Sequence, residues 1–121
     1  MAEDARSVGE RYFEAWTSGD FEGARSLVHD DLIFRGPFET FERADDFFAS
    51  LRRVGGTLLK RADKKRVFVD GDDVCIVYDF VAPEPVGPSP TFEWYRVRDG
   101  KIAEIRIVFD TRPFAALQQQ G

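Results

Sequence analysis

TLLKRADKKRVFVDGDDVCIVYDFVAPEPVGPSPTFEWYRVRDGKIAEIRIVFD, residues 57–110, is the stretch that decides the fold. Its apolar residues recur at short, strand-like spacing, and β-branched and aromatic types dominate. Turn chemistry divides it. Asp70-Gly71-Asp72-Asp73 ends the first run, and a proline-rich loop (Pro83, Pro85, Gly87, Pro88, Pro90) ends the second. Asp99-Gly100 is a hairpin signal before the last run. The spacing therefore predicts four strands: Thr57 to Val69, Val74 to Ala82, Thr91 to Arg98 and Lys101 to Asp110.

Upstream the period changes from two to about 3.6. Val8, Tyr12, Ala15 and Trp16 mark one face of a helix predicted over 3–18. Ser18-Gly19 stops it, and Asp20 is the N-cap of a second helix, Phe21 to Val28. His29-Asp30-Asp31 breaks that pattern, and Leu32-Ile33-Phe34 reads as a short strand ended by Gly36-Pro37. A third helix is predicted from Arg43 to Val54, with Gly55-Gly56 as its stop. Helices followed by an antiparallel meander imply an α+β layout.

The chain of 121 residues fits one domain spanning 1–121. Hydrophobic residues at 43% and charged residues at 32% describe a globular chain able to bury a core. Twelve Phe, three Tyr and two Trp predict a core or cavity walled with rings. A net charge of −5 argues against nucleic acid as a partner. One Cys and one His exclude a disulfide framework and the usual zinc constellations. No apolar stretch approaches membrane-spanning length, and Met1-Ala2-Glu3-Asp4 does not read as a signal peptide. A cytoplasmic protein with no membrane association is expected.

Two turns allow cross-strand pairing to be inferred. A hairpin symmetric about Val86 sets Asp79 opposite Glu93, Val77 opposite Tyr95 and Cys75 opposite Val97. Those six residues then share one face, and Tyr78, Phe80, Phe92 and Trp94 share the other. At Asp99-Gly100, a two-residue loop sets Arg106 beside Glu93, and a three-residue loop sets Ile105 there. The three-residue loop is preferred because Ile105, Ile107 and Phe109 then join Val77, Tyr95 and Val97 in one apolar surface. A slip of one residue would invert that face. On it, Asp79 and Glu93 form a carboxyl pair in which mutual repulsion and burial raise one pKa. Such a group can serve as a general acid. The plainer alternative is a hydrated pair at a rim, or one neutralised by Arg or Lys.

The segment VGERYFEAWTSGDFEGARSLVHDDLIFRG, residues 8–36, resembles the opening of SnoaL-like and ketosteroid-isomerase-like members of the nuclear transport factor 2-like superfamily. EWYRVRDGKIAEIRIVFDTRPF, residues 93–114, resembles the closing hairpin of bacterial SnoaL-like proteins. The resemblance implies a cone-shaped curved antiparallel sheet packed with three N-terminal helices (a cystatin-like α+β barrel), usually as a homodimer. It implies an oxyanion-donor role for Tyr12 and places Glu93 near the position of a protonated aspartate that shares this task. The family's proton-shuttling aspartate has no match, because Gly36 stands there; Asp79 could substitute as base. The acid deep in the cone of SnoaL-like polyketide cyclases could be Asp79, Glu93 or Asp110. Simple alternation turns Asp110 away from the pocket unless its strand bends.

Two functional classes stay open. One is a cofactor-independent isomerase or cyclase moving a proton on a small hydrophobic carbonyl compound, with Tyr12, Asp79, Glu93 and Asp110 as candidate catalytic groups. Its ligand wall would be Trp16, Phe34, Phe47, Val77, Tyr95, Ile107 and Phe109, with no metal or other cofactor. The other is a non-catalytic ligand-binding or dimeric accessory domain. The apolar outer sheet face is expected to form a homodimer contact.

Overall fold

The computed structural model describes residues 4–115. The helices are α1 (Ala5–Thr17), α2 (Phe21–Arg25) and α3 (Ala44–Thr57), the last following the first two strands in the chain. Six strands form one sheet: β1 (Val28–Arg35), β2 (Thr40–Phe41), β3 (Arg61–Asp70), β4 (Asp73–Val81), β5 (Pro88–Arg98) and β6 (Lys101–Phe109), in the order β2-β1-β6-β5-β4-β3. The meander β3 to β6 is antiparallel, as the turn chemistry predicts. The sheet as a whole is mixed, because β1 runs parallel to β6.

Asp4 caps α1 by accepting from the Ser7 amide at 2.8 Å. The helix buries Val8, Tyr12, Phe13 and Trp16 on the sheet. Gly9 allows the close approach: a Cβ there would stand 3.0 Å from Val74 and 3.1 Å from the Tyr95 ring. α3 passes through Gly55-Gly56 instead of stopping. Gly55 is a packing glycine, since a Cβ would meet the Phe21 ring at 2.9 Å. β1 begins at Val28 and includes His29-Asp30-Asp31. Arg25 holds Asp30 at 2.6 Å and Arg98 holds Asp31 at 3.4 Å, so a polar run is tolerated between buried Val28 and Leu32.

The hairpin between β4 and β5 corrects the expected pairing. Val81 lies opposite Pro88, so the loop is residues 82–87 and Glu93 faces Ile76, not Asp79. The displacement is an odd number of residues, and it exchanges the two faces of β4. Val74, Ile76, Tyr78 and Phe80 point inward with Glu93, Tyr95 and Val97; Cys75, Val77 and Asp79 point outward with Phe92 and Trp94. The prolines explain the error. Pro88 and Pro90 belong to β5, beyond the point where β6 ends its pairing opposite Thr91. A missing N–H costs little on an unpaired side.

At Asp99-Gly100 the loop has two residues, with φ of 51° and 78°. A shift between Arg96 and Val97 then brings Glu104 opposite Arg96 and Ile107 opposite Glu93. Neither expected register holds as drawn. Ile105, Ile107 and Phe109 still share the face of Tyr95, because the bulge supplies the extra residue.

Candidate active site

A cavity of about 160 Å³ lies between α1, α3 and the inner face of the sheet, with the turn over 36–39 contributing to its wall. Phe34 stacks on Phe47 at 4.4 Å between centroids, and Trp16, Ile107 and Phe109 line further parts of the wall. Phe38 packs on Phe109, and Phe109 on Phe114, as edge-to-face pairs at 5.6 and 5.3 Å. Gly36 fits only because it lacks a side chain, since a Cβ would meet Ile107 at 2.9 Å and Phe34 at 3.1 Å.

Glu93 is the acid of this interior. It is 3% exposed and lines the cavity. Tyr95 donates to its Oε1 at 2.8 Å, and Tyr78 donates a short hydrogen bond to its Oε2. Strand geometry makes this cluster. Tyr95 sits two residues along β5, and Tyr78 lies across on β4, on the same inner face. Burial pushes the Glu93 carboxyl up to about 7, against the opposing pull of the two tyrosine donors. Burial and the neighbouring Glu93 charge raise Tyr12, Tyr78 and Tyr95 well above their ordinary value, so all three stay neutral donors. Tyr12 lines the cavity and meets Tyr95 edge-on at 5.1 Å. At the outer end, Ser50 donates to Glu39 Oε2 at 2.9 Å; both line the cavity, and Glu39 is half exposed.

The structure thus gathers Tyr12, Trp16, Phe34, Phe47, Glu93, Ile107 and Phe109 around one space. Tyr95 lies against it through Glu93. Three expected members are placed elsewhere. Val77 is on the outer face, opposite Phe92. Asp79 is on that face too, 3.8 Å from the Lys65 ammonium. Asp110 lies past the end of β6, where Arg112 holds it at 2.7 Å and its hydrogen bonds pull the carboxyl down to about 2. The expected carboxyl pair is therefore one carboxyl with two tyrosines. Tyr78 and the cavity-lining Phe80, expected on the outer face, point inward. No local signal marks them, because the face of β4 is set by the length of the loop before β5.

A helix-covered curved sheet enclosing an apolar cavity with a buried carboxyl defines a nuclear transport factor 2-like domain. Within that class the chain belongs to the SnoaL-like domain family, whose model matches residues 9–105. A search of curated proteins finds no match. A crystal structure from Kribbella flavida is similar at 28% identity and a TM-score of 0.86, covering 98% of each chain. An NTF2-like protein of unknown function from Cytophaga hutchinsonii is 20% identical, with a TM-score of 0.81, over 95% of this chain and 96% of that one. An LEH-like epoxide hydrolase of M. tuberculosis is 21% identical, with a TM-score of 0.75, over 97% of this chain and 96% of that one. The last two show the shared fold alone.

No group of three or more His, Cys, Asp or Glu among the described residues is placed to hold a metal ion. No described helix is long and apolar enough to cross a membrane.

Proposed function

We propose that this domain catalyses cofactor-independent proton transfer on a small hydrophobic carbonyl compound, with Glu93 as the group that moves the proton. The observation that carries this reading is a cavity-lining carboxyl, tied between two tyrosines, whose pKa burial brings to about 7. A base whose pKa matches the working pH both takes and returns a proton efficiently. Ionised Glu93 removes a proton from the carbon next to the carbonyl. The C–H electron pair shifts to the carbonyl oxygen, giving an enolate. The Tyr12 hydroxyl donates to that oxygen, and burial keeps it protonated. Glu93–H then returns the proton to the same carbon or to a conjugated one. Atoms and charge balance without a cofactor. Asp79 and Asp110 take no part.

Non-catalytic binding is the second reading. It is favoured because both Glu93 oxygens already accept a tyrosine hydrogen bond. Enolisable ketones incubated with the protein in D2O, followed by NMR, separate the two. Deuterium incorporation next to the carbonyl, lost in Glu93→Gln, supports catalysis. Equal exchange in Glu93→Gln and the native protein, or none in either, removes it.

The outer sheet face is proposed to meet a second copy of the chain. Phe68, Phe92, Trp94 and Val108 are 59%, 50%, 42% and 62% exposed there. Arg106 stacks on Trp94, whose indole N–H donates to Asp73, and Asp70 lies beside the same patch, so Arg106 and Asp70 offer opposite charges to a two-fold contact.

A further inference from the structure

We infer that the ligand of this site is an uncharged single-ring carbonyl compound, too small to be polycyclic, bound with its oxygen toward Glu93 and Tyr12 and its ring between Phe34, Phe47 and Ile107. This rests on the proton-transfer reading for the carbonyl group, and on the cavity itself for size and charge.

Size comes from the space between the rings, which opens to solvent past half-exposed Glu39. The cavity measures about 160 Å³. An engineered apolar cavity of roughly 150 Å³ in another protein accepts benzene, so about six or seven non-hydrogen atoms is the matching range. The wall does not yield easily. Phe34 is stacked on Phe47 and tilted against Phe41, and Phe47 is locked edge-on to Phe48 at 5.2 Å. Gly36 already brings the chain to contact distance of Phe34 and Ile107. At the inner end, between Phe34, Phe47 and Ile107, a second fused ring would have to push these groups off their packed positions, and close-packed interiors resist that.

Charge comes from the lining. Among the described residues, the ionisable carboxyls on it are Glu93 and Glu39, and no Lys or Arg lines the space. An anionic ligand would be desolvated among rings, facing a carboxyl and no cation, and burial of that kind is costly. Polarity is confined to the inner end, with Glu93, Tyr12 and Thr91, and to the Ser50–Glu39 pair; aromatic and aliphatic side chains fill the rest. That pattern suits one polar group on a ring. Trp16, another wall residue, buries its indole N–H without an acceptor among the described residues.

The test uses three probes on the full chain: cyclohex-2-enone, 2-tetralone and benzoate. Binding is measured by NMR titration or calorimetry, and α-deuteration is followed separately. The expected result is saturable cyclohex-2-enone binding, with 2-tetralone and benzoate at least tenfold weaker. Leu51→Ala, which enlarges the cavity wall, should recover 2-tetralone binding; Leu58→Ala serves if Leu51→Ala does not fold. Binding of 2-tetralone as tight as cyclohex-2-enone, or no binding of cyclohex-2-enone, overturns the size limit whatever the exchange shows. Benzoate binding as tight as cyclohex-2-enone overturns the charge limit. Cyclohex-2-enone that binds without exchange leaves this inference standing and removes the proton-transfer reading.

Discussion

Glu93 and Asp110 belong to the same end of the chain and to the same chemical class, yet the fold treats them in opposite ways. Glu93 lies inside the cone, where burial outweighs two hydrogen bonds and lifts its carboxyl to about 7. Asp110 lies in solvent past β6, where Arg112 bonds it and draws it down to about 2. Asp79 sits on the outer face beside Lys65. An acid becomes chemically useful near neutral pH by losing water without gaining a cation. Of the three candidate acids, Glu93 alone meets that condition.

The largest expected effect separates these acids by activity. Glu93→Gln should lower α-proton exchange by about 10²–10⁴-fold, the range for loss of a general acid or base. Asp79→Asn and Asp110→Asn should leave the exchange rate within about twofold, since surface changes outside the site perturb little. A comparable loss in Asp79→Asn would break the distinction between inner and outer faces.

Stability against pH should carry the same signature. Glu93 has a raised folded pKa, so between about 4.5 and 7 the folded state holds a proton that the unfolded state has released. Unfolding free energy from this group is then highest below 4.5 and falls as pH rises to 7. The full change is about 3 kcal/mol, an order-of-magnitude figure from about 1.4 kcal/mol per pH unit. Denaturant titrations across that range should show the decline, and Glu93→Gln should flatten it. Stability that rises with pH over that interval would contradict the assignment.

Tyr78→Phe sharpens the comparison further. The Tyr78 hydrogen bond lowers the Glu93 pKa, so its removal should drive the midpoint above 7. It should also cost about 1.5–3 kcal/mol when Glu93 is ionised, the range for a hydrogen bond to a charged group. The smallest effect on the folded domain concerns the outer face. Trp94→Glu should convert a dimer to a monomer by sedimentation while shifting domain stability by less than about 1 kcal/mol, since Trp94 is largely outside the core. A native chain already monomeric would remove the proposed contact.

The helices, the meander and the aromatic wall were legible because period and turn chemistry act locally. Tyr12, Trp16, Phe34 and Phe47 followed from helix and strand spacing, and all line the cavity. Glu93 was legible as a pocket acid, because β5 alternates strictly along its length. The partner of Glu93 was not. Which face of β4 points inward depends on the parity of one loop, and Pro88 and Pro90 disguise where that loop ends. Tyr78 and Asp79 are neighbours in sequence, so that parity decides whether the buried partner is a phenol or a second carboxylate. The parallel pairing of β1 with β6 was out of reach for a different reason: it joins residues far apart in the chain, and no local signal encodes it.

The central claim is that one interior carboxyl, held by tyrosines and shielded from cations, changes its charge near neutral pH. Selective ¹³C labelling of glutamate and an NMR titration of the Glu93 side-chain carboxyl carbon test this directly, with Glu93→Gln identifying the resonance. The expected midpoint is near 7. A midpoint at the ordinary glutamate value of 4.5 would contradict it.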